Sequence, residues 1–107
     1  MEPARLAVLT ALRSVVDPEA GLDIVNLGLI HRIQIDPGEI RVGMTLTSPG
    51  CPLGETILTM ARQALDGIAG ERRVFLELSW DPPWNPGMIS PGGLALLRGH
   101  RMFSTEP

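Results

Sequence analysis

The stretch IRVGMTLTSPGCPLGETILTMARQALDGIAG, residues 40–70, contains the pattern that decides the fold. Every second residue from Ile40 to Leu46 is apolar, which is the period of a strand covered on one face only. After a short turn rich in proline and glycine, apolar residues recur at helical spacing from Leu53 to Ile68. The stretch therefore predicts a strand, a tight turn and a helix that begins directly after the turn.

The same alternation appears on both sides of this unit. Residues Ile30–Ile35 form a second apolar–polar run, joined to the first by Asp36–Glu39, a turn that contains proline and glycine. Val74–Trp80 predicts a third strand, in which Trp80 continues the apolar face and should lie in the core. If the strands before and after the helix are parallel neighbours, the helix is a right-handed crossover.

Further helices are predicted at the two ends of the chain. Pro3–Val16 carries apolar residues at helical spacing, and Asp17-Pro18 stops it, because a residue before proline is disfavoured in a helix. Residues 18–29 are too apolar for a solvated loop and should fold against the core. Met88–Arg98 predicts a short helix, and residues 99–107 a loosely held tail.

These elements predict one α+β domain that spans residues 1–107. The expected architecture has two layers, with a small mixed sheet of about three strands and the helices on one of its faces. A chain of 107 residues is the size of one domain.

Composition excludes several classes of protein. All nine basic residues are arginine, so a Schiff-base lysine and a phosphate-loop lysine are absent from this chain. The net charge of -3 argues against nucleic acid as a partner. No stretch is apolar for long enough to cross a membrane, a single cysteine cannot form an internal disulfide, and the N-terminus shows no signal pattern. The expected compartment is the cytoplasm.

Cys51 is the strongest candidate for chemistry. The turn before it and Pro52 after it place its sulfur at the start of a helix, where free N–H groups and the helix dipole favour the thiolate. A thiolate is a ligand for iron. The alternative is a small buried residue within a turn. Because a cluster takes about four ligands, a cluster on one cysteine needs ligands from elsewhere, which favours transient carriage.

Other polar residues are weaker candidates. Asp17, Glu19 and Asp23 could supply oxygen ligands, although aspartates at these positions also serve as ordinary turn and capping residues. His31 or His100 could pair with the thiol in a small thiol enzyme, but nothing in the spacing supports that pairing.

Two loops remain open to different interpretations. Trp84 lies between prolines on a stiff loop, where it could anchor a protein partner or fold back over the core. Gly67–Gly70 matches the G-x-x-G of an RNA-binding KH loop, but glycine is also the usual cap at a helix end, and the net charge opposes RNA binding.

Four blocks of the sequence, in order and with natural spacing, resemble the signature of the metal–sulfur cluster assembly family. They are Asp17-Pro18-Glu19, the run DIVNLGLI (23–30), the run MTLTSPGCP (44–52), and the loop with Trp84, Pro86 and Met88-Ile89-Ser90. The resemblance covers about residues 4–98 and implies the α/β domain of iron–sulfur scaffold proteins. It implies that Cys51 is the reactive or ligating cysteine. The remaining matched positions are Asp17 and Glu19 (acidic), Thr45, Thr47 and Ser48 (approach to the cysteine), and Trp84 and Ser90 (last loop).

The resemblance implies an accessory or carrier factor in iron–sulfur cluster maturation, and not a turnover enzyme. Cys51 would bind iron or a cluster transiently, Asp17, Glu19 and Thr47 would shape the site, and clients would dock near Trp84. The expected partners are client apo-proteins and cluster scaffold proteins, and a homodimer could bring two Cys51 thiols together. Two alternatives stay open: a metal-free interaction adaptor, and a maturation factor for an aromatic-ring oxygenase. The second is less favoured, because relatives of that type carry a cysteine-bearing C-terminal extension that this sequence lacks.

Overall fold

The computed structural model describes residues 3–47, 53–81 and 83–104, with side chains through residue 97. Its helices are α1 (Pro3–Leu12), α2 (Gly54–Ala69) and α3 (Pro91–Ser104), with a 3-10 turn at Pro86–Met88. Its strands are β1 (Val16–Asp17), β2 (Leu22–Asp23), β3 (Ile30–Asp36), β4 (Glu39–Met44) and β5 (Arg73–Leu78). None of the helices in these ranges has the length and apolar character needed to cross a membrane.

The main sheet has three strands in the order β3-β4-β5. β3 and β4 form an antiparallel hairpin that closes at Asp36 and Glu39, with a register irregularity between Ile30 and Arg32. β4 and β5 are parallel, with Met44 opposite Leu78, and α2 connects them. The predicted hairpin and the predicted strand–helix–strand unit are therefore both confirmed.

The core lies between one face of this sheet and the helices. α2 buries Ile57, Ala61 and Leu65, and β4 buries the alternating apolar residues that the sequence assigns to its inner face. α1 packs against α2 and adds Val8 and Leu12 to the same cluster. The expected α+β architecture with helices on one face of a small mixed sheet is confirmed.

The segment between α1 and β3 folds against this core, as its apolar content predicts. Its buried residues are Leu22, Ile24, Leu27 and Leu29. It also contains the two-stranded ribbon β1–β2, which the sequence analysis missed. Strands of two residues are too short to show an alternating pattern, so only the surrounding turn could have indicated them.

Several boundaries and one burial prediction were wrong. α1 ends at Leu12 and not at Val16, because the chain must already turn into β1. α2 continues through Gly67, and α3 runs to Ser104, beyond the end predicted at Arg98. Trp80 is 40 % exposed and not in the core, since β5 ends at Leu78 and Trp80 lies beyond the last residue that pairs with β4.

Candidate functional site

Three separate segments meet at the end of the sheet where β4 finishes. The amide of Ser79 donates to the carbonyl of Met44 at 2.9 Å, which ties the chain after β5 to this end. The amide of Thr45 donates to the carbonyl of Leu29 at 2.9 Å, which ties the segment before β3 to the same end. Two of the blocks that carry the family resemblance, 23–30 and 44–52, contribute Leu29, Met44 and Thr45 to these contacts.

Asp17 lies in the segment before β3 and is 2 % exposed. Its Oδ1 accepts hydrogen bonds from the amides of Glu19 at 2.8 Å and Ala20 at 3.3 Å. The carboxylate therefore stabilises its own turn, which is the capping role that the sequence leaves open for it. The adjacent backbone is joined to the site, because Ile24 donates to Val15 and Leu29 donates to Ile24.

Asp23 and Asn26 connect this segment to the loop after β5. Asp23 Oδ2 accepts from the amides of Val25 and Asn26, and the Asn26 side-chain amide donates to Asp23 Oδ1 at 2.6 Å. Ser90 then donates through its hydroxyl to Asn26 Oδ1 at 2.6 Å and through its amide to the Asn26 carbonyl at 2.8 Å. We call this Asp23–Asn26–Ser90 network the loop brace.

Trp84 strengthens the same connection. Its indole N–H donates to the carbonyl of Leu27 at 2.7 Å, and its half-buried ring packs against the core cluster. Gly28, with a φ of 86°, lies so close to Met88 that an added Cβ would stand 2.7 Å from the Met88 carbonyl carbon. The geometry of Trp84 is that of a residue folded back over the core, one of its two predicted roles.

The approach to the cysteine is described as far as Thr47. Thr45 is 1 % exposed and Thr47 is half-buried, so the two differ in access to solvent. Ser48 and Cys51 lie outside the described residues. The chain continues in the described part at Leu53, the N-cap of α2, which has no side-chain oxygen to accept from the first amides of the helix.

The start of α2 is held against the end of β4. A Cβ on Gly54 would lie 2.8 Å from Leu46 Cδ1, so the helix begins in direct contact with a residue that follows the strand. The partly positive N-terminus of α2 thus faces the region where the other segments converge. An anionic group placed there would be stabilised by these amides.

Of the two histidines only His31 has a described side chain, and it lies at this end of the sheet on the opposite face. His31 is exposed on the face of the sheet opposite the helices, where its ring stands over Gly43 beside Glu77, Ser79 and Asp81. His100 lies in α3, and its side chain is outside the described part. Within the described ranges, no group of three His, Cys, Asp or Glu residues could hold a metal ion.

Sequence reasoning singled out most of the residues described above but missed how they are joined. Of the two roles that it left open for Asp23, the structure shows turn capping, with the amides of Val25 and Asn26 donating to its carboxylate. Sequence reasoning gave no role to the Asn26 side chain and did not pair Ser90 with it. The two residues are 64 positions apart, and no local pattern in a single sequence reports such a contact.

The comparisons with known proteins identify the family of this chain. The family model described as iron-sulfur cluster assembly protein matches residues 5–76. The chain is 43% identical over 77 residues to the Fe-S protein maturation auxiliary factor SufT of Staphylococcus aureus, covering 71% of this chain and 88% of that protein. It is 35% identical over 77 residues to an iron-sulfur cluster carrier protein of Synechocystis, covering 72% of this chain but 22% of that longer protein.

A solved structure shares the fold over nearly the whole chain. The domain of unknown function DUF59 from Bacillus anthracis superposes with a TM-score of 0.81 at 31% identity, and the match covers 89% of this chain and 92% of that one. The small sheet with three helices is therefore an architecture already seen by experiment in a related protein.

Proposed function

We propose, from the premise that this chain belongs to the iron–sulfur cluster assembly protein family, that Cys51 receives iron or an iron–sulfur cluster and passes it to client proteins. The chain is an accessory factor in the maturation of iron–sulfur proteins, as the names of its relatives indicate. The cluster is cargo in this proposal and not a resident cofactor. The relatives are auxiliary and carrier factors, and the proposed role needs no turnover chemistry.

The observation that carries the proposal is the convergence at the end of β4. Three segments are hydrogen-bonded together there, and the uncapped start of α2 faces the same region. Cys51 lies between Thr47 and Leu53, the described residues on either side of it. A thiolate in this part of the chain would gain from the helix dipole, which lowers the cost of ionising it at neutral pH.

A single thiol leaves most of the coordination of a cluster to other molecules. Clusters are held by about four protein ligands, mostly thiolates. The remaining ligands would come from the donating scaffold, the accepting client or a small thiol. Such shared ligation makes release easy, which suits a carrier. A reducing compartment such as the cytoplasm keeps the single thiol free for this use.

The other site residues would act around the thiol. Thr47, half-buried on the approach to Cys51, would donate a hydrogen bond to the cargo or its sulfur. Glu19 would contribute negative charge at the rim of the site, while Asp17 would hold the turn that carries Glu19. Client and scaffold proteins would dock on the loop that Trp84 fixes in place.

The first test is anaerobic reconstitution of the purified protein with iron and sulfide, comparing wild type with Cys51→Ser. We expect absorbance of a cluster in the wild type only, and transfer of that cluster to an apo-ferredoxin. Wild type alkylated at its single cysteine is the matched control, because it keeps the wild-type sequence and loses only the free thiol. Equal iron uptake in all three samples would refute the role of Cys51.

A second candidate function is a metal-free adaptor that brings clients and scaffolds together. The observation that favours it is the exposure of Leu78 and Trp80, both 40 % exposed, at the same end of the sheet. Exposed large apolar side chains of this kind often bind protein partners. If Trp80→Ala abolishes client binding while Cys51→Ser leaves both binding and client maturation intact, the adaptor is the correct function.

A further inference from the structure

The outer edge of β5 presents unpaired backbone groups. Within the described residues, β5 is an edge strand with β4 on one side and no strand on the other. The amides of Arg73 and Ser79 donate towards β4, to Gly38 and Met44. In a β-strand the N–H and C=O of one residue point to the same side, and that side alternates from one residue to the next. The N–H and C=O groups of Val74, Leu76 and Leu78 therefore point away from β4.

A groove lined by both apolar and polar side chains runs beside this edge. It lies between α2 and β5, has a volume of about 330 Å³, and is lined by Leu58, Thr59, Arg62, Gln63, Leu76 and Leu78. Leu78 is 40 % exposed there. An edge with free hydrogen-bonding groups and apolar side chains on one face is the form of surface to which another strand can be added.

We infer that the occupant of this edge is a second copy of the chain, with β5 pairing antiparallel to β5 about a two-fold axis at Phe75. The outward groups of Val74 would exchange hydrogen bonds with those of Leu76 of the other copy. This register places Phe75 opposite its own equivalent. It also places Arg73 of each copy opposite Glu77 of the other, so two ion pairs form by symmetry.

The charge pattern selects this register among those that the backbone permits. Only alternate residues of β5 have outward N–H and C=O groups, and only these residues can form hydrogen bonds with the other copy. The two strands can therefore pair only in registers whose two-fold axes differ by whole residues. An axis at Leu76 would place Phe75 opposite Glu77 and leave Arg73 opposite Ser79. With the axis at Phe75, the two exposed charged residues of β5, Arg73 and Glu77, each face a residue of opposite charge. These are non-hydrogen-bonded pairs, in which the side chains of opposite residues lie closest.

The open face of the sheet already supports these side chains. Arg41 lies over the ring of Phe75 at 4.5 Å and forms ion pairs with Glu39 at 2.7 Å and Glu77 at 3.3 Å. Glu39 raises the pKa of the Arg41 guanidinium through its hydrogen bond. Phe75 and Glu77 are thus oriented before association, which reduces the entropy lost on pairing.

This dimer has a consequence for the site. Met44 is level with Leu78, and the two copies of Leu78 would lie about six residues apart along the shared strands, roughly 20 Å. The ends of β4 that lead to Cys51 would therefore lie at opposite ends of a continuous six-stranded sheet. The dimer would present two separate sites, each open to its own client, and would not hold one cluster between two cysteines.

Charge reversal tests the register directly. In a dimer of Arg73→Glu, an acid at position 73 faces Glu77 in both symmetric pairs. In a dimer of Glu77→Arg, two arginines face each other in both pairs. We expect each to weaken the dimer roughly tenfold, measured by sedimentation equilibrium. Arg13→Glu, the same charge change at an exposed residue of the turn after α1, should leave the dissociation constant unchanged.

Mixing the two single variants gives the decisive result. In the mixed dimer the two introduced charges, an acid at position 73 and a base at position 77, would face each other, while the native Glu77 of one chain would meet the native Arg73 of the other. A heterodimer of near wild-type affinity should therefore form, although neither variant pairs well with itself. A wild type that stays monomeric at roughly 100 μM, where even a small interface would be populated, overturns the inference. So does a dimer that ignores both reversals, or a mixture that fails to associate.

Discussion

Gly28→Ala should destabilise the protein far more than the same change at Gly21. Both glycines have positive φ, 86° and 74°, so alanine at either position costs about 1 to 2 kcal/mol of backbone strain. A Cβ at Gly21 meets nothing within 4 Å. At Gly28 it would stand 2.7 Å from the Met88 carbonyl carbon and 2.8 Å from Met88 Cβ, distances shorter than a Cβ atom keeps from other heavy atoms.

The additional cost at Gly28 follows from what must move. Met88 belongs to the 3-10 turn that leads to Ser90, and Ser90 is bonded to Asn26 through both its hydroxyl and its amide. Relieving the clash therefore displaces a segment that is fixed at two points. Overpacking of this kind costs about 1 to 3 kcal/mol, so we expect Gly28→Ala to lose about 2 to 5 kcal/mol in total.

Urea unfolding followed by circular dichroism measures the difference. The free energy of unfolding of a domain this size is only about 5 to 15 kcal/mol, so Gly28→Ala should lower the midpoint by roughly 1 M or more relative to Gly21→Ala at unchanged slope. Equal midpoints for the two variants would show that the 84–90 segment moves freely. That result would refute the close attachment of this segment to the turn at Gly28.

The other predictions concern single hydrogen bonds and the site carboxylate. Ser90→Ala removes the hydroxyl that donates to the Asn26 side chain and accepts from the Gly93 amide, and should cost about 1 to 2 kcal/mol by the same urea measurement; no loss would show that this hydroxyl is not stabilising. Trp84→Phe keeps a ring but removes the indole donor and should cost about 1 kcal/mol, whereas Trp80→Phe at an exposed position should cost almost nothing. Asp17→Asn retains the accepting oxygen and should preserve stability, so a lower cluster uptake in that variant would show that its charge acts on the cargo.

The parts of the fold that the sequence predicted are those with a local pattern. The apolar alternation around Val42 and the helical spacing around Ala61 each report a face that is buried, and both elements were found where expected. The boundaries were less accurate, because a chain leaves an element when tertiary packing requires a turn. α1 ends before Val15 for this reason, although the apolar spacing continues through that residue.

The candidate site also divides into features with a local sequence signal and features without one. A cysteine beside a proline at a helix start is visible in the sequence, and so is an aspartate at the start of a turn such as Asp23. The bond from Asn26 to Ser90 and the approach of Gly28 to Met88 depend on contacts between distant segments. Trp80 was misplaced because alternation predicts which face a residue occupies and not where the strand ends, which is at Leu78.

Under the proposed function, the family signature in this chain therefore combines residues with a structural role and residues with a binding role. Asp23, Asn26 and Ser90 satisfy one another and fix the loops, whereas Thr47 and Cys51 would hold the cargo. A substitution in the first group should lower stability and cluster uptake together, since the loops that frame the site would loosen. A substitution in the second group should lower uptake at unchanged stability, because a half-buried residue near the thiol contributes little to the core. Measuring the free energy of unfolding and the cluster uptake of each variant separates the two roles. A loop-brace variant with full stability but no uptake would show that the loop brace itself contacts the cargo.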